Sequence, residues 1–113
     1  MSKLAELVTL FQDDNSSLNL GLDNALIEAV AKGLGPSIYN ADSSKVSCSD
    51  QTEMDRVKTN FLIGKLGLAD GPELDAAIKE ACDAMGSSNR NKHRTLFYAL
   101  LVKKFGKESV YTK

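Results

Sequence analysis

The chain has 113 residues, of which 42% are hydrophobic and 26% charged, the proportions of an ordinary globular domain. A chain of this size hides about 65% of the surface its unfolded form exposes, so a core can form without staples. Disordered, collagen-like and disulfide-scaffold classes are excluded. The formal charge of −1, taken whole, points to neither nucleic acid nor membrane.

Leucine occurs 15 times and alanine 11 times, against 10 for valine and isoleucine together. That bias favours helix over strand, and the apolar residues recur at helical rather than alternating intervals. A first helix is predicted from Ser2 to about Asp13, with Leu4, Leu7, Val8 and Phe11 on one face. Asp13, Asn15, Ser16 and Ser17 read as the polar loop after it. Asp23 caps a second helix with Leu26, Ile27, Val30 and Ala31 inward, and Gly33 stops it. Gly35-Pro36 confirms the break.

A third helix begins within Ser47-Cys48-Ser49-Asp50, where Ser47 with Asp50, or Asp50 with Glu53, has capping-box spacing. Met54, Val57, Phe61 and Leu62 follow at helical intervals, and Gly67 ends the run. A fourth starts at Pro72, whose fixed φ suits the first helical position; its stripe is Leu74, Ile78, Ala81, Cys82 and Met85, and Gly86 stops it. A fifth begins near Ser88 or Asn89 and reaches Phe105, with Leu96, Phe97, Leu100, Leu101 and Phe105 apolar and Gly106 as its stop. The expected fold is all-α: one domain over 1–113, a compact bundle of about five helices with 106–113 as a short tail.

Leu22-Asp23-Asn24-Ala25-Leu26-Ile27-Glu28-Ala29 matches Leu74-Asp75-Ala76-Ala77-Ile78-Lys79-Glu80-Ala81 at five of eight positions. Similarity of amphipathic helices by chance is one reading. The other is two related helix hairpins beside an N-terminal helix. In either case the connection from Leu34 to about Val46 is long for a bundle, and long loops are more often functional. Within it, Pro36, Ile38, Tyr39 and Asn40 form a candidate partner-binding loop. Ile38 and Tyr39 either fold the loop onto the core or stand out as anchors for a partner; Tyr98 and Tyr111 allow the same two readings.

Three segments carry a family resemblance. They are Gly33-Leu34-Gly35-Pro36-Ser37-Ile38-Tyr39-Asn40-Ala41-Asp42, Val46-Ser47-Cys48-Ser49-Asp50, and Phe97-Tyr98-Ala99-Leu100-Leu101-Val102-Lys103-Lys104-Phe105-Gly106. The chain resembles, over nearly its whole length, a bacterial family catalogued as domain of unknown function 2853. The resemblance implies a small helical bacterial protein and transfers no activity or site residues.

The overall charge conceals a division. Residues 1–86 carry 7 basic and 14 acidic side chains, and residues 87–113 carry 7 basic and 1 acidic. Arg90, Lys92, His93 and Arg94 fall in the expected first turns of the fifth helix, where the helix dipole disfavours cations. One explanation is an anion site, with backbone N–H groups and basic side chains converging on phosphate or carboxylate. The other is pairing with the acidic body of the same chain.

Cys48 and Cys82 lie 34 positions apart, form no CxxC pair and are expected as free thiols in a cytosolic protein. Cys48, near a helix start, is a candidate reactive thiol, while Cys82 fits the core stripe. His93 is expected at the surface beside Arg94. Two cysteines and one histidine offer no metal-ligand spacing, and neither a calcium loop nor a glycine-rich phosphate loop occurs. No cofactor is implied.

The start lacks an uninterrupted apolar signal region, and the longest apolar run, Leu96 to Val102, is too short to span a membrane. The expected location is cytoplasmic. The leading functional reading is a non-enzymatic binding module for a protein or an anionic ligand, using the 35–42 loop and the basic start of the last helix. A nucleic-acid-associated protein acting through that helix is one alternative. A thiol-dependent enzyme or redox protein using Cys48 is another.

Overall fold

The computed structural model describes residues 3–34, 39, 45–46, 48–86, 93–107 and 110. Its elements are α1 (Lys3–Leu18), α2 (Asn24–Leu34), α3 (Gln51–Arg56) running into a π-helical segment (Val57–Lys65), α4 (Pro72–Ala84) and α5 (Arg94–Lys104). Among the described residues there is no strand, only an isolated antiparallel bridge between Lys45 and His93. The fold is an all-α bundle.

α5 is the centre of the packing. Leu96, Phe97, Ala99, Leu101 and Val102 are all fully buried, too many for a one-sided stripe. They are covered from several directions, since α2, α4 and α1 all pack on α5. α4 packs directly on α5, while α2 packs mainly on α5 and α1. The apolar faces predicted for α1, α2 and α4 enter this core through Val8 and Phe11, through Leu26, Ile27, Val30 and Ala31, and through Leu74, Ile78, Ala81 and Cys82.

Four boundaries differ from the sequence reading. α1 runs through the segment expected as a loop, because Asn15 is buried and replaces missing backbone partners. Its Nδ2 donates to the Leu22 carbonyl at 3.0 Å, and its Oδ1 accepts from the Leu22 N–H at 3.0 Å. Asn19, at φ 55°, then turns the chain. The Leu20 N–H donates to the Asn15 carbonyl and the Asn19 N–H to the Ser16 carbonyl, the paired bonds of a Schellman stop. At the end of α2, Gly33 lies inside the helix, which continues to Leu34.

The third helix is two elements. Asp50 caps α3, its Oδ1 accepting from the N–H groups of Thr52 and Glu53. Beyond Arg56 the backbone widens, and the Leu66 N–H donates to the carbonyl of Phe61, five residues back. The buried residues Val57, Phe61, Leu62 and Leu66 recur every four to five residues, wider than the 3.6-residue α period, so the wider turn keeps all of them on the core.

The fifth helix begins at Arg94 rather than near residue 88. His93 is its cap, with extended backbone at φ −63°, ψ 129°. Its end is as expected. Gly106 takes φ 64°, which glycine adopts without steric cost, and Lys107 N–H donates back to the Val102 carbonyl.

Candidate functional site

A cleft of about 660 Å³ opens between α3 with the π segment on one side and α4 on the other. Gln51, Met54, Asp55 and Lys58 form one wall; Asp75, Ile78, Lys79, Cys82 and Asp83 form the other; Cys48 and Ser49 close one end. The two walls follow from helix periodicity. Met54 and Ile78 turn inward to the core, and the polar residues one turn away from them rise on either side of the opening. Among the described residues, no group of three or more His, Cys, Asp or Glu side chains could hold a metal ion.

Lys58 is the best-organised polar group of the cleft. Its Nζ lies 3.2 Å from Asp75 Oδ2 and 3.2 Å from Asp70 Oδ1. The hydrogen bonds it donates to Asp75 and then to Asp70 hold the ammonium above its ordinary range, so Lys58 is a fixed cation across the whole neutral range. It also ties the π segment to the first turn of α4. On the same wall, Asp55 Oδ1 accepts from Gln51 Nε2 at 2.8 Å.

The end of the cleft is covalent. Cys48 and Cys82 form a disulfide, with Cα atoms 6.1 Å apart. This corrects the expectation of two free thiols, and with it the reading of Cys48 as a reactive thiol, because a bonded sulfur is no nucleophile. A spacing of 34 residues carries no pairing signal. The pair forms because α4 turns Cys82 toward the core while the turn before α3 lays Cys48 against it. By loop-closure entropy a bridge of this span stabilises the fold by about 4 kcal/mol.

The basic residues at the start of α5 are placed differently from the cleft cations. Arg94 reaches Glu53 of α3, its Nη2 donating to Oε1 at 2.7 Å with both side chains largely buried. The same nitrogen donates to the Lys45 carbonyl at 3.3 Å, and Nη1 donates to the Tyr98 hydroxyl at 3.0 Å. The guanidinium also lies 5.6 Å from the centre of the Tyr98 ring, and Tyr98 stacks on Phe61 at 4.0 Å. Of the two readings for Tyr98, packing onto the core is the one observed.

His93, expected at the surface, is buried. Its Nε2 is 2.6 Å from Asp14 Oδ2, and its ring lies 5.0 Å from that of Phe11. Burial pulls the imidazole pKa below its ordinary value, against the opposing pull of Asp14. The geometry agrees: Nε2–H donates to the carboxylate, and Nδ1 has no hydrogen-bond partner among the described residues. A proton on Nδ1 would be a buried donor with nothing to accept it, so the neutral ring is favoured.

Two of the four residues expected to form an anion site, His93 and Arg94, thus end on carboxylates of the same chain. The other two, Arg90 and Lys92, lie outside the described residues, and both precede the observed helix start. Of the candidate loop, Tyr39 is 47% exposed; Pro36, Ile38 and Asn40 lie outside the described residues, as does Tyr111. Sequence reasoning missed Lys58, Lys79, Asp55, Asp75 and Asp83. Pro72 and Asp50, which start the two walls, were the only signals available for them.

A family model described as a protein of unknown function, DUF2853, matches residues 11–109. The chain belongs to the DUF2853 family. Every cleft residue of this family member, both cysteines, His93 and Arg94 fall inside the matched stretch. No curated protein matches the chain. Among the described residues, no helix is long and apolar enough to cross a membrane.

Proposed function

We propose that this DUF2853 protein is a non-enzymatic binding module whose binding surface is the cleft between α3 with the π segment and α4. The observation that carries the reading is the cleft itself: about 660 Å³, within the size range of small-molecule sites. Its apolar floor at Met54 and Ile78 and its rim of both charge signs suit an amphiphilic ligand with an apolar body and polar ends. The extended π segment supports the same location, since departures from α geometry concentrate at functional sites.

The anionic-ligand reading at the start of α5 has less support, because the Arg94 guanidinium is engaged by Glu53 and Tyr98. The nucleic-acid alternative loses the same cation. A protein partner reached through the 35–42 loop is supported only by the exposure of Tyr39. A cytoplasmic site of action belongs to the proposal; there the disulfide would be the unusual feature, since cytosolic disulfides are mostly transient or redox-sensing.

The test is chemical-shift mapping of the labelled protein with a panel of small zwitterionic aromatic compounds, inorganic phosphate and random duplex DNA at about 50 mM salt. Saturable shifts centred on Met54, Asp55, Lys58, Ile78 and Lys79 with the aromatic panel support the cleft. Shifts centred on residues 90–94 with phosphate or DNA, and none in the cleft, refute it.

A further inference from the structure

The disulfide occupies an unusual place for a structural bond. Both cysteines line an open cleft rather than the middle of the core. Cys82 is at the edge of burial, 9% exposed, on the inward face of α4. Cys48 is only partly buried, in the short turn before Asp50. The bond joins that turn to α4, and α3 itself has no extensive packing on α4; the contact between these walls is made by the π segment.

The same turn has anchors that do not depend on sulfur. Val46 and Met54, on either side of it, are buried in the core. Glu53 is held by Arg94, and Lys45 is paired to His93 through the backbone. These contacts would hold the turn and α3 in place after the bond opens. Lys58 and Lys79 stand in the cleft with Asp55, Asp75 and Asp83, and Lys58 is already engaged by Asp70 and Asp75. Lys79 is three residues before Cys82, on the same face of α4, where a cation stabilises a departing thiolate.

We propose that Cys48–Cys82 is an exchange-competent disulfide, opened in the folded protein by a small dithiol that enters the cleft. A thiolate of the dithiol attacks Sγ of Cys48, the less buried of the two cysteines. The S–S bond breaks, its electron pair leaves with Sγ of Cys82, and that thiolate takes up a proton. The second thiol of the reagent, losing its proton, attacks the reagent sulfur bound to Cys48. Cys48 leaves as a thiolate and is protonated, and the reagent closes to a cyclic disulfide. The protein gains two electrons and two protons, and the dithiol loses them. The folded chain then exists in two states, one with the turn bonded to α4 and one with the cleft end released. The inference stands independently of any ligand for the cleft.

The test uses the wild-type chain and dithiothreitol without denaturant. Samples are quenched by alkylation and counted by mass, and the same reaction is run in unfolding urea. The expected native-state rate is within about a hundredfold of the unfolded-state rate and insensitive to low urea, as for a bond reached without global unfolding. The reduced chain keeps its helical circular-dichroism signal. A monothiol trapped at short times is found on Cys48 rather than Cys82. The proposal is overturned by a native rate more than about a hundredfold slower or one that climbs with urea, by loss of the helical signal on reduction, or by trapping on Cys82.

Discussion

At the start of α5, His93 and Arg94 each end on a carboxylate carried by another helix, Asp14 on α1 and Glu53 on α3. In the cleft, Lys79 and Asp83 form no ion pair among the described residues, while Lys58 is held by Asp70 and Asp75. Only the start of α5 stood out in the sequence; the polar residues of the cleft did not. The difference lies in burial. Charged groups taken out of water must be paired or their cost is large, so the basic start of α5 became a clamp holding α1 and α3 against the central helix. Lys79 and Asp83 remain exposed to solvent, where pairing is worth little and the groups stay available to a ligand.

The largest way to sharpen this contrast is to remove the covalent end of the cleft. Cys48→Ser is expected to lower stability by about 2–4 kcal/mol through the freed loop, seen as an earlier urea midpoint. The bundle itself should persist, because the turn is still anchored by Val46, Met54 and the Glu53–Arg94 pair. Unfolding of the variant under native conditions would show that the cleft end is part of the core rather than a strap upon it.

A second comparison uses pH. His93 is held neutral by burial, so below about pH 6.5 the unfolded chain binds a proton that the folded chain resists. Its contribution is fully present above that pH and declines as the pH falls from there toward the lower pKa of the folded protein. The slope from one proton is at most about 1.4 kcal/mol per pH unit. Urea unfolding at about pH 7.5 and about pH 5.5, compared between wild type and His93→Gln, should show this extra acid loss in wild type only. Equal losses in the two proteins would mean that His93 is protonated in the fold.

How far these regions were legible follows from the kind of signal each residue leaves. Asp50, Asp23 and Pro72 announce helix starts by local chemistry, and Gly67, Gly86 and Gly106 announce ends, so these boundaries were readable. Asn15 misled because its polar side chain reads as loop, whereas its amide satisfies the Leu22 backbone seven residues on. The π segment was hidden because a spacing of four to five residues resembles the α period over a single turn. The cleft arises from the π segment meeting α4 and the disulfide from the turn before α3 meeting α4, and no local pattern reports such meetings across the fold. The start of α5 was placed too early because Ser88 and Asn89 resemble caps. That error put His93 in a helix turn, whereas it is the cap of the helix; Arg90 and Lys92 lie outside the described residues.

The smallest expected effect tests the buried side of the comparison. Thr95 is fully buried, and its hydroxyl has no partner among the described residues. Replacing an unpaired hydroxyl with a methyl removes a desolvation cost, so Thr95→Val should leave stability unchanged or raise it by less than about 1 kcal/mol. A clear loss in thermal unfolding would reveal a hydrogen bond made to that hydroxyl.

The most direct test of the central claim, that one region's charges hold the fold while the other's face outward, is a matched pair of substitutions in urea unfolding. Arg94→Met should cost about 2 kcal/mol, because it leaves the largely buried Glu53 without its main cation. Lys79→Met should stay within about 0.5 kcal/mol of wild type. Equal losses, or a larger loss at Lys79, would contradict the account.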